Sequence, residues 1–156
     1  MYKEETKAIA KLFERAMLKK VGPEKVNDHF MALDTICDAT QERQDALREM
    51  LGQPMDLLLV VGGYNSSNTS HLAEMGSEQL PTYFIRNASR IESEDRITCY
   101  DLAKKAEVSV SPWLPKRDHV TVGITAGASC PNNLIEETIL RLFELHGVPA
   151  SAVLDR

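Results

Sequence analysis

The chain has 156 residues, of which 43% are hydrophobic, so it is long enough and apolar enough to bury one core. Its net charge of -5 argues against a nucleic-acid backbone as the main partner, because such binding needs clustered Lys and Arg. No apolar run approaches the roughly 20 residues of a membrane span, so we expect no membrane partner either.

The first predicted element is an amphipathic helix that ends before Gly22 and Pro23. Apolar residues recur at helical spacing between Ile9 and Met17, and glycine followed by proline is a common helix end. No strand pattern precedes this helix. We therefore interpret residues 1–27 as the closing helix of a unit that begins upstream.

From about residue 28 the sequence alternates between strand and helix patterns. In chain order it predicts a strand, a helix, a buried strand, a short helix, two further strands and a last helix, at residues 29–36, 40–51, 56–61, 70–75, 82–85, 120–125 and from 131 onward. Residues 88–118 are ambiguous and predict one short helix near residues 102–105 within a loop. The alternation is typical of an α/β fold with a mostly parallel sheet and helices on both faces. We assign residues 28–148 to this C-terminal α/β unit and residues 149–156 to a tail.

Polar residues follow three of the predicted strands, at residues 35–40, 62–70 and 125–131. In an open parallel sheet, ligands bind beyond the carboxyl ends of the strands. These three segments, the first, second and third junctions, are therefore the places where we expect a binding site.

The second junction has the strongest pattern for an anion. Gly62 and Gly63 allow a sharp turn, and six consecutive amide or hydroxyl side chains follow at residues 65–70. Placed before a helix, these donors and the free backbone N–H groups can bind an anion without any basic residue. Helix capping alone would need only one of them. The third junction repeats the pattern with Gly127 and Ser129, although a single serine there is more often a helix cap than a ligand.

Cys37 lies in the first junction, where a helix N-terminus would lower the pKa of its thiol. The pattern leaves three roles open. Cys37 could be a nucleophile, although His29 at the far end of the predicted strand is a poor partner for it. It could be a metal or cluster ligand, which needs partners, or a buried structural thiol. With Cys99 and Cys130 the cysteines are odd in number and form no C-x-x-C pair, which indicates a reducing compartment rather than a disulfide framework.

Three stretches of the sequence together resemble one family. They are TICDATQERQDA at residues 35–46, VVGGYNSSNTSHL at residues 60–72 and GITAGAS at residues 123–129. In this order and spacing they resemble the 4-hydroxy-3-methylbut-2-enyl diphosphate reductases, also called the LytB family, and they look like its cyanobacterial and plastid branch. The resemblance runs from the first helix to about Leu145.

The resemblance implies an enzyme that reductively removes the hydroxyl group of an allylic diphosphate. The products would be isopentenyl and dimethylallyl diphosphates, in the last step of the methylerythritol phosphate pathway. It also implies a 4Fe–4S cluster held by three cysteines, ferredoxin or flavodoxin as electron donor, and three similar α/β units around a central cavity. The compartment would be the cytoplasm or the plastid stroma.

The resemblance can be carried over to single residues. Cys37 matches the last of the three cluster cysteines, while Ser66, Ser67, Asn68 and Ser129 match residues that hold the substrate diphosphate. The other two cluster cysteines, the substrate-contacting histidines and the proton-relay glutamate of the family lie upstream of this chain. We therefore expect no catalytic residue within the chain, which would be the end of the second unit and the whole third unit of the enzyme.

Three further residues match no functional position of the family. Cys99 and Cys130 match no cluster ligand, and His71 matches no phosphate contact, so we expect two non-ligand thiols and a helix residue particular to this branch. Two alternatives to the reductase remain open. The chain could be a diphosphate-binding module without redox activity of its own, or a truncated product without independent function.

Overall fold

A computed structural model describes residues 3–33, 38–149 and 151–152 of the chain. Cys37, the predicted cluster ligand, lies outside the described residues. The chain divides into two compact units, Met1–Gln41 and Glu42–Arg156. None of the helices in the described ranges combines the length and the apolar character that crossing a membrane requires.

The first unit contains helix α1 at Lys3–Val21 and the short helix α2 at Val26–His29. Helix α1 confirms the predicted amphipathic helix. It ends at Gly22, which has a φ of 80° and whose N–H bonds to the carbonyl of Leu18 at 3.0 Å. A left-handed glycine in this position is the common way for a helix to stop.

The strand predicted at residues 29–36 is wrong wherever the structure describes it. His29 is the last residue of α2, and residues 30–33 have no regular structure. The N–H of Phe30 bonds to the carbonyl of Val26 at 2.8 Å, so this part of the backbone is satisfied within a helical turn rather than in a sheet.

Helix α3 at Asp38–Leu51 spans the division between the two units. It confirms the helix predicted at residues 40–51. Its side chains Gln44 and Leu47 are buried, and Gly52 follows its last residue. The sequence pattern therefore predicted the helix, and Gly52 with Pro54 predicted where it stops.

The second unit contains five strands among its described residues. They are β1 at Leu57–Val61, β2 at Thr82–Ile85, β3 at Ile97–Asp101, β4 at Ala106–Val110 and β5 at Val122–Ala126. Strands β1, β2 and β5 form a parallel sheet in the order β2-β1-β5. Every residue of β1 is fully buried, as expected for a central strand covered on both faces. The structure confirms the strands predicted at residues 56–61, 82–85 and 120–125, and with helices around the parallel sheet it confirms the α/β fold.

Two helices accompany the parallel sheet, α4 at Ser67–Ser77 and α5 at Asn132–Leu145. Helix α5 confirms the last predicted helix. Helix α4 lies against the sheet so closely that a Cβ atom on Gly76 would overlap the Leu58 side chain of β1. It begins earlier than the predicted residue 70, because Ser66 caps its first turn.

Strands β3 and β4 form an antiparallel hairpin in the segment that the sequence left ambiguous. The helix predicted near residues 102–105 is wrong, since these residues form the turn of the hairpin. The carboxylate of Asp101 accepts the N–H groups of Ala103 and Lys104 at 2.9 Å each, and Lys105 adopts a φ of 53°. Such a side-chain-to-backbone turn competes successfully with a helix.

The core of the second unit lies where the parallel sheet meets the hairpin and the segment after it. Its buried members are Leu57, Leu59, Val61, Ile85, Ile91, Ile97, Cys99, Trp113, Leu114 and Ala126. The indole N–H of Trp113 donates to the carbonyl of Ser93 at 2.9 Å, so its polar tip is satisfied. This packing holds the sheet in place. The residues that follow β1 and β5 lie at its carboxyl edge, where a binding site is expected.

Candidate functional site

The register of the sheet brings the second and third junctions together. The last residue of β1, Val61, pairs with Ala126, the last residue of β5. The N–H of Gly127 then bonds to the carbonyl of Val61 at 3.3 Å. The two junctions therefore leave the sheet side by side at its carboxyl edge, where parallel sheets bind ligands.

The turn at the start of the second junction depends on Gly62. Its φ of 152° is one that side-chain-bearing residues rarely adopt, and its N–H bonds to the carbonyl of Ile85 at 3.0 Å. A Cβ atom at this position would lie 3.1 Å from the side chain of Thr69. The backbone then closes a turn, with the N–H of Ser66 bonded to the carbonyl of Gly63 at 3.0 Å.

Ser66 is the N-cap of helix α4. Its Oγ accepts the backbone N–H of Thr69 at 3.3 Å and the Thr69 hydroxyl at 2.9 Å. A serine hydroxyl has two acceptor positions and one donor. With the Thr69 hydroxyl as donor, both acceptor positions are occupied, and the Ser66 hydroxyl proton has no acceptor among the described residues. The side chain therefore caps the helix and still has a donor for an anion.

Asn68 carries a polar group that the described residues leave unsatisfied. Both its Oδ1 and its Nδ2 are buried, and neither has a hydrogen-bond partner within the described part of the chain. A buried amide without partners costs about 1–3 kcal/mol, so this is a position where a ligand is expected. The neighbouring Ser67 is exposed at the first position of α4.

The N-terminus of α4 adds backbone donors. The N–H of Thr69 bonds to Ser66 Oγ, and the N–H of Ser70 bonds to the Ser66 carbonyl at 2.9 Å. The N–H groups of Ser67 and Asn68 precede these and have no intrahelical acceptor, as at any helix start. They lie at the positive end of the helix dipole, which favours an anion.

The third junction contacts the second at Gly127. A Cβ atom on Gly127 would overlap Thr69 Oγ1 and would lie 3.7 Å from Ser66 Oγ. The N–H of Cys130 bonds back to the carbonyl of Gly127 at 2.9 Å, which folds this junction into a turn. Ser129 within the turn is exposed. Its interpretation as a helix cap is wrong, because the N-cap of α5 is Pro131 and that helix has no side-chain cap bond.

The positive charge of Arg43 reaches Cys130 in the third junction, which no sequence pattern predicted. Burial raises the pKa of the Cys130 thiol, and the positive charge of Arg43 opposes that rise. Arg43 is exposed on α3, in the stretch that begins at the first junction. The two junction patterns contain no Lys or Arg, but α3 places one cation within electrostatic reach of this edge.

The described residues do not form a complete site for an iron–sulfur cluster. They contain no group of three His, Cys, Asp or Glu side chains placed to hold a metal ion. Cys99 is a member of the hydrophobic core, and burial raises the pKa of its thiol, whereas a cluster ligand is a thiolate. The candidate ligand Cys37 lies outside the described residues, so its role stays a prediction.

His71 lies in α4, one turn after the residues of the second junction. Its Nδ1 lies 3.2 Å from Glu74 Oε2 in the same helix. The structure therefore shows a contact of His71 along the helix, and the prediction that it does not bind phosphate stays untested.

Tyr64 is a residue of the second junction for which the sequence pattern predicts no role. Its hydroxyl donates to Glu107 Oε1 at 2.8 Å and accepts the backbone N–H of Arg86 at 3.2 Å. Its ring stacks on Tyr100 with the centroids 4.5 Å apart. Burial and then the Glu107 carboxylate raise the pKa of Tyr64 to about 12. No local pattern could have shown this contact, because Glu107 is 43 residues away in the chain.

Comparison with known proteins identifies a family and several similar proteins. The family model described as LytB protein matches residues 1–143. A 4-hydroxy-3-methylbut-2-enyl diphosphate reductase of Gloeobacter violaceus is 53% identical over 152 residues, which cover 97% of this chain and 36% of that protein. A Synechococcus protein of the same name is 51% identical, over 93% of this chain and 36% of its own length.

A solved structure of a protein with the same name as these relatives also resembles this chain in fold. It is that of (E)-4-hydroxy-3-methyl-but-2-enyl diphosphate reductase, the terminal enzyme of the non-mevalonate pathway. It is 32% identical, with a TM-score of 0.52, and the match covers 70% of this chain and 32% of that one. The chain spans about a third of the length of the curated relatives it matches. Because the family model covers nearly all of the sequence, the chain belongs to the LytB protein family.

Proposed function

We propose that this chain is the diphosphate-binding part of a 4-hydroxy-3-methylbut-2-enyl diphosphate reductase. The observation that supports this most is the Asn68 side chain, whose amide is buried without a partner among the described residues. It lies in the first turn of α4, where free N–H groups and the helix dipole favour an anion. The names of the matching relatives support a diphosphate as that anion.

The diphosphate would be held by donors from both junctions. The Asn68 Nδ2 and the Ser66 hydroxyl proton have no acceptor among the described residues. Because the Asn68 amide is buried, its side chain would turn toward the junction to reach a phosphate oxygen. Ser67 and Ser129 are exposed at the same edge and would add two hydroxyl donors. Hydrogen bonds to a charged acceptor are about twice as strong as neutral ones, so a few such donors can bind a diphosphate without a lysine.

The whole reaction would need the rest of the enzyme. We propose that the substrate is the allylic diphosphate and that it is reductively dehydroxylated to isopentenyl and dimethylallyl diphosphates. Cys37 would supply one of three thiolates to a 4Fe–4S cluster, which provides electrons received from ferredoxin or flavodoxin. The catalytic residues would lie outside this chain, and the compartment would be the cytoplasm or the plastid stroma.

The test of diphosphate binding is calorimetry with inorganic diphosphate and with dimethylallyl diphosphate as probes. We expect the chain to bind both, and Asn68→Ala to weaken binding by about 10- to 100-fold, the value of one hydrogen bond to a charged group. Asn87→Ala is the matched control, because it removes an asparagine that caps a short helical turn outside the junctions. Equal binding by Asn68→Ala and the wild type would contradict the proposal.

The alternative is a diphosphate-binding module that has no redox activity of its own. Only Cys37 among the three cysteines resembles a cluster ligand of the family, which favours this alternative. Anaerobic incubation of the chain with iron and sulfide, followed by iron analysis and a reductase assay, separates the two. A stable cluster with reductase activity in the isolated chain would rule the module out.

A further inference from the structure

Tyr64 connects the second junction to the β3–β4 hairpin. It follows Gly63 directly and precedes the polar run that begins at Asn65. Its ring stacks on Tyr100 of β3 and meets Phe84 of β2 edge-on, with the centroids 5.2 Å apart. The side chain thus packs between two strands that are far from it in sequence.

The Tyr64 hydroxyl is held in two directions. It accepts the backbone N–H of Arg86 at 3.2 Å and donates to Glu107 Oε1 at 2.8 Å. The same Glu107 oxygen lies 2.9 Å from Arg90 Nε. A hydroxyl that both donates and accepts cannot rotate without losing a bond. Arg90 adds only a charge attraction to the Glu107 carboxylate, because its Nε makes no hydrogen bond within the described residues.

Two such attachments hold the start of the second junction. Ser66 is fixed on its C-terminal side by Thr69, and Tyr64 is fixed on its N-terminal side by Glu107. Only Asn65 separates the two attached residues. The direction of the N–H groups and hydroxyls that follow therefore depends on both attachments.

We propose that Tyr64 is a positioning residue that sets the affinity of the second junction for diphosphate through its hydrogen bond to Glu107. This inference rests on the proposed function of the same junction. Tyr64 itself need not touch the ligand, because preorganised donors bind more tightly than donors that must be ordered on binding.

The Tyr64 hydroxyl keeps its proton near neutral pH, so its hydrogen bond to Glu107 does not change there. Burial and the Glu107 carboxylate raise the pKa of Tyr64 to about 12, and the N–H of Arg86 and the charge of Arg90 act in the opposite direction. The hydroxyl is therefore an uncharged donor near neutral pH. The role of this hydroxyl is therefore tested by removing it rather than by changing the pH.

The experiment compares Tyr64→Phe with Tyr83→Phe by calorimetry with inorganic diphosphate. Tyr83 is the control, because its hydroxyl also donates a hydrogen bond, to the carbonyl of Trp113 at 3.2 Å, but lies in β2 outside the junctions. We expect diphosphate binding by Tyr64→Phe to be weaker by about 3- to 10-fold, the value of one hydrogen bond, with Tyr83→Phe unchanged. The amide signals of residues 65–68 in ¹H–¹⁵N NMR spectra should shift in Tyr64→Phe alone.

Two variants of Glu107 separate positioning from loss of stability. Glu107→Gln keeps an oxygen that can accept the Tyr64 hydroxyl, so we expect it to bind diphosphate nearly as the wild type does. Glu107→Ala removes the acceptor and should resemble Tyr64→Phe. This pair also decides the matter if Tyr64→Phe fails to fold.

The outcomes distinguish this inference from the function on which it rests. Diphosphate binding that is equal in the wild type, Tyr64→Phe and Glu107→Ala overturns the positioning role and leaves the proposed function standing. A wild-type chain that binds no diphosphate overturns both. Equal weakening by Tyr64→Phe and Tyr83→Phe shows a general loss of stability and also overturns the positioning role.

Discussion

Gly127→Ala tests the contact between the second and third junctions. The added Cβ would overlap Thr69 Oγ1 and would lie 3.3 Å from Thr69 Cβ. Thr69 is 1% exposed, and its hydroxyl donates to Ser66 Oγ at 2.9 Å. The threonine therefore cannot move aside without breaking the bond that holds the capping serine.

The size of the effect follows from these contacts. Overpacking a close-packed site costs about 1–3 kcal/mol, and loss of the Thr69–Ser66 bond adds about 1 kcal/mol. We expect Gly127→Ala to lower the free energy of unfolding by about 2–4 kcal/mol, measured by urea denaturation. Calorimetry should also show weaker binding of inorganic diphosphate, because Ser66 is displaced.

Gly63→Ala is the matched control, since a Cβ atom there has nothing within 4 Å. It should change the free energy of unfolding by less than about 1 kcal/mol. The cost of Gly127→Ala should also fall in a Thr69→Ala background, where the clashing oxygen is gone. Equal losses for Gly127→Ala and Gly63→Ala, or an undiminished cost without the Thr69 hydroxyl, would refute the reasoning.

Two further predictions concern ionisation and metal binding. The pKa of Tyr64 is raised from 10.0 to about 12, so as the pH rises the unfolded chain ionises this phenol first, and the stability it contributes below pH 10 is lost toward pH 12. Urea denaturation should show a smaller decline over this range for Tyr64→Phe than for the wild type, and equal declines would contradict the assignment. In a complete reductase, Cys37→Ser should lower the iron content after anaerobic reconstitution while Cys130→Ser leaves it unchanged, and full iron in Cys37→Ser would remove Cys37 from the ligands.

The parts of the fold that the sequence predicted are those in which one local pattern decides the structure. Residues 57–61 are apolar without a break, as is typical of a short strand covered on both faces. The hairpin was missed because its strands are five residues each and its turn, residues 102–105, contains residues common in helices. The Asp101 carboxylate and the left-handed Lys105 decide that turn, and no periodicity shows them.

The site divides in the same way. Its donors stand next to one another in the chain, so the run at residues 65–70 was visible as a binding pattern. The residues that fix those donors come from other parts of the chain. Gly127, after β5, contacts Thr69 of α4, and Glu107 of β4 accepts the Tyr64 hydroxyl. Such contacts depend on sheet register, which a single sequence does not state.

Under the proposed function, the fixed donors of the second junction would matter for catalysis. The chain would hold the diphosphate end of the substrate, and the carbon–oxygen bond that breaks would lie with the rest of the enzyme. Binding energy from a remote group raises the rate only when it fixes the geometry of the reacting end. The attachments of Tyr64 to Glu107 and of Thr69 to Ser66 keep the donors in one arrangement before the ligand arrives. The rigidity of the second junction would then contribute to the reaction in addition to the donors themselves.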